Sequence, residues 1–329
     1  MRRRQFITVL GAAMAARVGW PRLASAQLAT DLPRVGFIYT GSRAAAASRV
    51  EAMVRGLREA GFESPTQVEI VIRYTDGDPA LIAPMIEEVL TKNVNVFVAN
   101  GPAVLQVARK LPGGVPVVAI DLESDPVASG VAASLAHPGG NVTGVFMDFP
   151  DFSTKMLELL LESNVRLSRL AVLWDPVTGQ LQLETVKAAA GAKKIGVNTF
   201  KVQRAFDFES AFDAANQDHA DAVIMLSSPL FASNVQILAD LALKHRLPAI
   251  TLFPDFARAG GLVAYGPNIL DLFRVLGNIS GKVLHGAKPA DLPIERPAKF
   301  ELVLNLRTAK ALDLSISTGL LLRADEVIE

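Results

Sequence analysis

Apolar residues after position 34 occur in two kinds of run. Short continuous runs such as residues 35–39 are typical of strands buried on both faces. Val50, Met53 and Leu57 instead recur at the spacing of one helix face, and Gly61 follows where a helix would end. The pattern predicts repeated strand–helix units.

The same alternation appears twice along the chain. The first set predicts strands at 35–39, 68–74, 94–99 and 117–120, with helices at 79–92 and 102–110. The second set starts near residue 169 and predicts strands at 170–174, 197–202, 222–226, 249–252 and 262–265, with helices at 182–194, 208–217 and 235–245. A further strand, 141–146, lies between the sets. Such alternation predicts an α/β protein of two doubly wound parallel-sheet lobes.

The first 26 residues follow another pattern. Arginines at positions 2–4 precede an apolar stretch, 6–16, and the segment ends in Ala24-Ser25-Ala26. A basic start, an apolar middle and a small-residue end are typical of a signal peptide. We expect cleavage after Ala26 and a periplasmic protein, exported by either the twin-arginine or the general secretory route.

Charge and cysteine content exclude several functions. Five of the 33 basic residues precede Gln27, where no acid occurs, so the remainder of the chain carries a net charge of −5. An acidic surface disfavours nucleic-acid binding. The absence of cysteine excludes disulfides, thiolate metal sites and cysteine nucleophiles.

Enzyme signatures are lacking. The sequence contains no Gly-x-Ser-x-Gly elbow, and residues 277–282 have one residue too few between their glycines for a phosphate loop. The four histidines are scattered at positions 137, 219, 245 and 285, without metal-ligand spacing. We therefore expect no catalytic residue, metal or cofactor.

The loops after the predicted strands carry the candidate site, because ligands of open parallel sheets bind beyond the carboxyl ends of the strands. Hydroxyl, amide and aromatic side chains are concentrated there, which favours a small polar solute with an apolar or aromatic part. The candidate ligand-binding residues are Tyr39, Thr40, Ser42, Asn100, Gly101, Pro102, Asp121, Leu122, Phe146, Trp174, Asp175, Ser227, Ser228, Leu230, Phe253, Tyr265 and Asn268.

Asp121 is the sharpest single candidate. It ends the apolar run 115–120, and its carboxylate is suited to accept hydrogen bonds from an ammonium or hydroxyl group. The alternative is that Asp121 caps the following turn.

Residues 131–144, VAASLAHPGGNVTG, resemble a segment of a family of ABC-transporter substrate-binding proteins that includes tryptophan- and tyrosine-type binding proteins. Further similarity covers 246–250, 259–268, 286–293 and 300–312. The sequence departs from the family pattern at 100–104 and 119–127, on two candidate site loops.

The resemblance implies a type I periplasmic-binding fold, in which two lobes joined by three crossovers close on a solute and deliver it to a membrane permease and its ATPase. It places the crossovers near 141–147, 265–268 and 304–307. The N-terminal lobe would then contain 27–145 and 269–303, and the C-terminal lobe 146–268 and 304–329. An amino acid or an aromatic or carboxylate compound is the implied solute.

Two other functions remain open at this point. A secreted enzyme could use the cleft, with Asp121, Asp175 and Asp255 as acids or bases. A sensory binding protein that hands its ligand to a membrane receptor would share the same fold.

Overall fold

A parallel sheet forms the centre of the first lobe. The computed structural model describes residues 32–147 and 150–329, so the predicted signal peptide lies outside the described residues. The strands are β1 (Arg34–Tyr39), β2 (Glu69–Tyr74), β3 (Val96–Asn100), β4 (Val117–Asp121) and β5 (Val142–Phe146). They lie in the order β2-β1-β3-β4-β5, all in parallel pairs.

The second sheet repeats this order and extends it. Its strands are β6 (Arg169–Trp174), β7 (Gly196–Lys201), β8 (Ala222–Met225), β9 (Ala249–Thr251), β10 (Val263–Pro267), β11 (Phe300–Asn305) and β12 (Glu326–Ile328). The order is β12-β11-β10-β9-β8-β6-β7. The part β7-β6-β8-β9-β10 has the same arrangement as β2-β1-β3-β4-β5 of the first lobe. This repetition confirms the predicted α/β fold with two lobes.

Helices and short helical turns connect the strands. The helices are α1 (Arg43–Glu59), α2 (Ile82–Leu90), α3 (Pro102–Ala108), α4 (Pro150–Glu162), α5 (Gln180–Ala192), α6 (Asp207–Gln217), α7 (Pro229–Ala232), α8 (Val235–Lys244), α9 (Pro254–Arg258), α10 (Ile269–Leu284), α11 (Leu306–Ala311) and α12 (Thr318–Leu321). None of those within 32–147 and 150–329 is both long and apolar enough to cross a membrane.

Helices α1 and α10 pack with their backbones close together. A Cβ placed on Gly56 would lie 1.8 Å from Arg274 O, and one placed on Gly277 would lie 2.0 Å from Met53 O. The contact therefore requires glycine on both helices. It also places the segment 277–282 inside a packed helix, which agrees with its exclusion as a phosphate loop.

The return of the chain to the second lobe differs from the prediction. Strand β11 pairs antiparallel with β10, from Val263 opposite Leu304 to Pro267 opposite Phe300. Within residues 32–147 and 150–329, the last strand pairing with the first sheet is the bridge between Val145 and Glu295. The third crossover therefore lies between Glu295 and Phe300 and not near 304–307. The assignment of residues 300–303 to the first lobe is wrong, because an apolar run does not reveal which sheet it will join.

Candidate ligand-binding cleft

The carboxyl ends of strands from both sheets meet at one cleft. Its inner cavity is lined by residues at the ends of β1, β3 and β4, by residues of α1 and α10, and by residues that follow β8 and β9. The lining consists of Tyr39, Arg49, Asn100, Gly101, Ile120, Leu122, Glu123, Pro229, Ala232, Phe253, Ile269 and Phe273. Because open parallel sheets bind ligands at this edge, the inner cavity is the candidate site.

Aromatic rings and a cation share the inner cavity. Tyr39, Phe253 and Phe273 are all buried, and Arg49 from α1 is 8 % exposed. The guanidinium carbon of Arg49 lies 5.9 Å from the centroid of the Tyr39 ring. Its Nη2 lies 4.0 Å from Oδ2 of Asp255 in the second lobe. The cavity thus offers apolar surface beside a buried positive charge.

Glu123 is the acid of the inner cavity. Its Oε1 accepts a hydrogen bond from Ser227 Oγ at 2.6 Å, and its Oε2 accepts one from Leu122 N at 3.2 Å. Since Ser227 follows β8, the first of these bonds joins the two lobes. Burial, and then the negative charge of Asp121, raise the pKa of Glu123 to about 8. The side chain therefore holds a proton at neutral pH.

Asp121 caps the turn that follows β4, which is the alternative role predicted for it from the sequence. Its Oδ1 accepts hydrogen bonds from Glu123 N at 2.9 Å and from Ser124 N at 3.1 Å, and its Oδ2 accepts one from Ser124 Oγ. Burial raises the pKa of Asp121, while these hydrogen bonds act to lower it. The carboxylate organises the loop after β4, and Glu123 is the residue of that loop whose acid lines the cavity.

An outer cavity lies beside the inner one and shares Asn100, Gly101 and Pro229 with it. Thr40 Oγ1 donates a hydrogen bond to Asn100 Oδ1 at 3.1 Å, so the ends of β1 and β3 are held together. The sequence-predicted residues that line the outer cavity are Thr40, Asn100, Gly101, Pro102, Asp175 and Leu230.

Loops of the second lobe are fixed by hydroxyl groups. Ser228 Oγ donates to Asp175 Oδ2 at 2.7 Å and accepts from Leu230 N at 3.1 Å, which caps α7. Ser42 has the equivalent role in the first lobe, where it caps α1 by accepting from Ala45 N at 3.2 Å. Both serines therefore shape the loops around the cleft.

Two predicted aromatic residues are packed in the cores beside the cleft. Phe146 is 1 % exposed and packs among apolar side chains on one face of the first sheet. Trp174 ends β6, is 7 % exposed and has Lys201 Nζ 5.9 Å from its ring centroid. Neither residue lines the inner or the outer cavity.

Two other predicted residues lie in β10 and directly after it. The Tyr265 ring stacks on Phe152, with centroids 5.2 Å apart, and on Phe300, with centroids 5.9 Å apart. Asn268 caps α10 by accepting a hydrogen bond from Asp271 N at 2.8 Å. These residues support the connection between the lobes and do not line the inner or the outer cavity.

The two lobes touch across the cleft. A Cβ placed on Gly41 would lie 2.3 Å from Ser233 Oγ, and one placed on Gly101 would lie 2.8 Å from Pro229 Cγ. Gly101 also has a φ of +82°, which favours glycine. Small residues on one lobe thus allow the other lobe to approach.

Sequence reasoning missed Arg49, Glu123 and Phe273. Arg49 carried a detectable signal, because it lies three and four residues before Ala52 and Met53 on the buried face of α1. A charged residue on such a face needs a polar partner or a ligand. Phe273 carried no such signal, because one aromatic residue in an amphipathic helix has the usual pattern of a core position.

Comparison with known proteins agrees with this geometry. The model of the family described as ABC transporter substrate binding protein matches residues 35–328. The chain belongs to this family. Members bind a small solute on behalf of an ABC transporter, and the inner cavity between the lobes is the candidate place for it.

Relatives of this substrate-binding protein are distant in sequence. A tyrosine-binding protein of Clostridioides difficile (strain R20291) is 22% identical over 269 residues, which cover 80% of this chain and 76% of the relative. The uncharacterized protein RP367 of Rickettsia prowazekii (strain Madrid E) is 22% identical over 260 residues and 78% of each chain.

Solved structures share the fold. An ABC domain from Streptococcus pneumonia in complex with L-Trp has a TM-score of 0.81 and 24% identity, and the match covers 90% of this chain and 100% of that chain. A solute-binding protein of an ABC transporter from R. palustris in complex with benzoate has a TM-score of 0.54 and 15% identity, covering 82% and 92% of the two chains. Both are type I periplasmic-binding proteins in architecture, as is this chain.

Proposed function

We propose that this substrate-binding protein works in the periplasm and captures a small solute that bears a carboxylate and an apolar or aromatic part. The observation that carries the proposal is the inner cavity between the lobes, where Arg49 lies beside aromatic rings. The predicted export signal supports the location, and the family supports delivery to a membrane permease and its ATPase.

Arg49 is suited to hold the carboxylate. A guanidinium carries five N–H donors in a planar fork that matches a carboxylate. One of them donates to the Ala45 carbonyl, and Asp255 Oδ2 at 4.0 Å is too far for a hydrogen bond. A carboxylate that enters the cavity would therefore meet donors on a buried cation.

Three rings of the inner cavity, Tyr39, Phe253 and Phe273, are suited to the remainder of the solute. Tyr39 and Phe273 belong to the first lobe and Phe253 to the second. A solute packed among them contacts both lobes at once and displaces water from apolar surface. Such contacts favour the closed arrangement of the lobes over an open one.

The proposal is tested by binding measurements on a library of amino acids and aromatic acids. Thermal shift identifies the ligands, titration calorimetry gives their affinities, and small-angle scattering follows compaction. We expect at least one carboxylate-bearing aromatic solute to bind, to reduce the radius of gyration and to be recovered chemically unchanged after incubation.

Arg49→Gln tests the role of the guanidinium. A hydrogen bond to a charged group contributes about 1.5–3 kcal/mol, so affinity should fall about tenfold or more. Arg55→Gln is the matched control, since Arg55 is exposed on the same helix. Unchanged affinity in Arg49→Gln, or conversion of the solute to a product, would contradict the proposal.

A further inference from the structure

A single segment of the second lobe, residues 227–233, contacts three loops of the first lobe. The segment follows β8 and contains α7. Its residues Ser227, Pro229 and Ser233 lie against the loops after β4, β3 and β1, respectively. The segment therefore meets the ends of three of the five strands of the first sheet.

The contact at Ser227 is a buried hydrogen bond between the lobes. Ser227 Oγ donates to Glu123 Oε1 at 2.6 Å, and the two residues are 0 % and 8 % exposed. A buried donor or acceptor that loses its partner costs more free energy than the bond itself contributes. The pair is therefore satisfied only while the lobes stay together or after water has entered between them.

The other two contacts depend on glycine in the first lobe. A Cβ placed on Gly101 would lie 2.8 Å from Pro229 Cγ, and one placed on Gly41 would lie 2.9 Å from Ser233 Cβ. Because neither glycine carries a side chain, the segment packs directly against the backbone of both loops. Such packing adds dispersion contacts that an open arrangement lacks.

The segment is fixed within its own lobe before it meets the other. Ser227 N donates to Gln182 Oε1 at 2.9 Å, and Ser227 O accepts from Thr178 Oγ1 at 3.0 Å. Ser228 Oγ donates to Asp175 Oδ2 at 2.7 Å. Since these bonds hold the backbone around Ser227, its hydroxyl group is already positioned for the first lobe, and little conformational entropy is lost when the lobes meet.

We propose that segment 227–233 is a latch that keeps part of the protein population closed before any solute enters. Its three contacts join protein groups only, so they favour the closed arrangement whichever solute the cleft accepts. A solute then enters only those molecules in which the latch is open, and the same contacts stabilise the complex after closure. The inference goes beyond the proposed function, because it holds for any class of solute.

Pulsed electron paramagnetic resonance measures the closed fraction. The sequence contains no cysteine, so Ala80→Cys and Ala205→Cys introduce two unique sites for spin labels. Both positions are exposed, and Ala205 lines the mouth of the cleft opposite Pro79, the neighbour of Ala80. Opening moves them apart. In protein refolded to remove any co-purified solute, we expect two label distances, the shorter one equal to the separation in this structure.

Ser227→Ala removes the donor and leaves Glu123 with a buried acceptor, so the ratio of closed to open molecules should fall about fivefold or more. In a Glu123→Ala background the bond is already lost, and Ser227→Ala should change the ratio by less than about twofold. Ser280→Ala is the matched control. Ser280 is equally buried, but its hydroxyl bonds to Leu276 O at 2.8 Å within α10, so the ratio should stay as in the wild-type chain.

Three results would overturn the latch. The first is a single long distance in the labelled chain with Ser227 and Glu123 intact, a result that decides the matter even if a variant does not fold. The second is an unchanged ratio in folded Ser227→Ala, and the third is an equal loss in the Glu123→Ala background. None of these measurements uses a solute. Failure of the latch therefore leaves the proposed ligand class standing, and failure of every compound in the library leaves the latch standing.

Discussion

Closure of the cleft should be blocked by one added methyl group at Gly41. This residue lies at the end of β1, and a Cβ placed there would lie 2.3 Å from Ser233 Oγ and 2.9 Å from Ser233 Cβ in the second lobe. Distances this short require one of the groups to move. Because Ser233 belongs to the opposite lobe, Gly41→Ala disfavours the closed arrangement more than an open one.

The size of the effect follows from the overlap. Overpacking by one methyl group costs about 1–3 kcal/mol. If that cost falls on the closed complex alone, affinity for the solute decreases about 5- to 150-fold. Part of the overlap is within the first lobe, since the same Cβ would lie 2.8 Å from Tyr39 Cε1. A second substitution is therefore needed to isolate the interlobe part.

Calorimetry and scattering on four variants decide the question. Gly41→Ala should bind weakly and remain expanded at ligand concentrations that compact the wild-type chain. The double variant Gly41→Ala/Ser233→Gly lacks Oγ and Cβ of residue 233 and should regain most of the lost affinity. Ser233→Gly alone is the second single variant of this double-mutant cycle. Gly191→Ala is the control, since a Cβ there meets nothing within 4 Å. The reasoning is refuted if Gly41→Ala binds normally or if Ser233→Gly gives no recovery.

Two further predictions concern stability. Because burial and the charge of Asp121 raise the pKa of Glu123 to about 8, the folded chain holds a proton that an unfolded chain releases above about pH 4.3. The free energy of unfolding should therefore fall between pH 5 and 8 and level off above 8, and urea unfolding of Glu123→Gln should show a shallower decrease; parallel curves would contradict the assignment. Gly56→Ala should lower stability by about 1–3 kcal/mol or more, because its Cβ would lie 1.8 Å from Arg274 O in the α1–α10 contact. Thermal unfolding against the Gly191→Ala control measures this loss, and an unchanged melting temperature would show that the helices separate without cost.

Local patterns predicted most strands of both sheets and several of the helices between them, because these elements follow from the spacing of their own apolar residues. Helix α4 and strand β12 were not predicted. The continuous run that became β4 is buried along its whole length, as a central parallel strand requires. The pattern was less exact for α1, where Ala46, Ala52 and Gly56 are buried while Val50 is only partly so. The face of α1 that contains Gly56 is buried because it packs closely against α10. That contact depends on Gly277, which lies more than 200 positions further along the chain.

The candidate site was predicted in part. Tyr39, Asn100, Gly101, Leu122 and Phe253 line the inner cavity, as expected for residues that follow the strands. The predicted loop after β4 lies at the inner cavity. Which of its two acids lines the cavity depends on which carboxylate accepts the hydrogen bonds of the turn. Asp121 satisfies the backbone N–H groups of the loop, and this leaves Glu123 to face the cavity.

The sequence alone determined the alternation of strands and helices, the two lobes and the loops that carry the cleft, since these depend on periodicity and on residues close together in the chain. Only the tertiary structure decided that β11 joins the second sheet, that Arg49 enters the cavity from a helix, and that Glu123 meets Ser227 of the other lobe. These features are pairings between distant segments, and their free energies depend on distances that exist only once both lobes have folded and packed together.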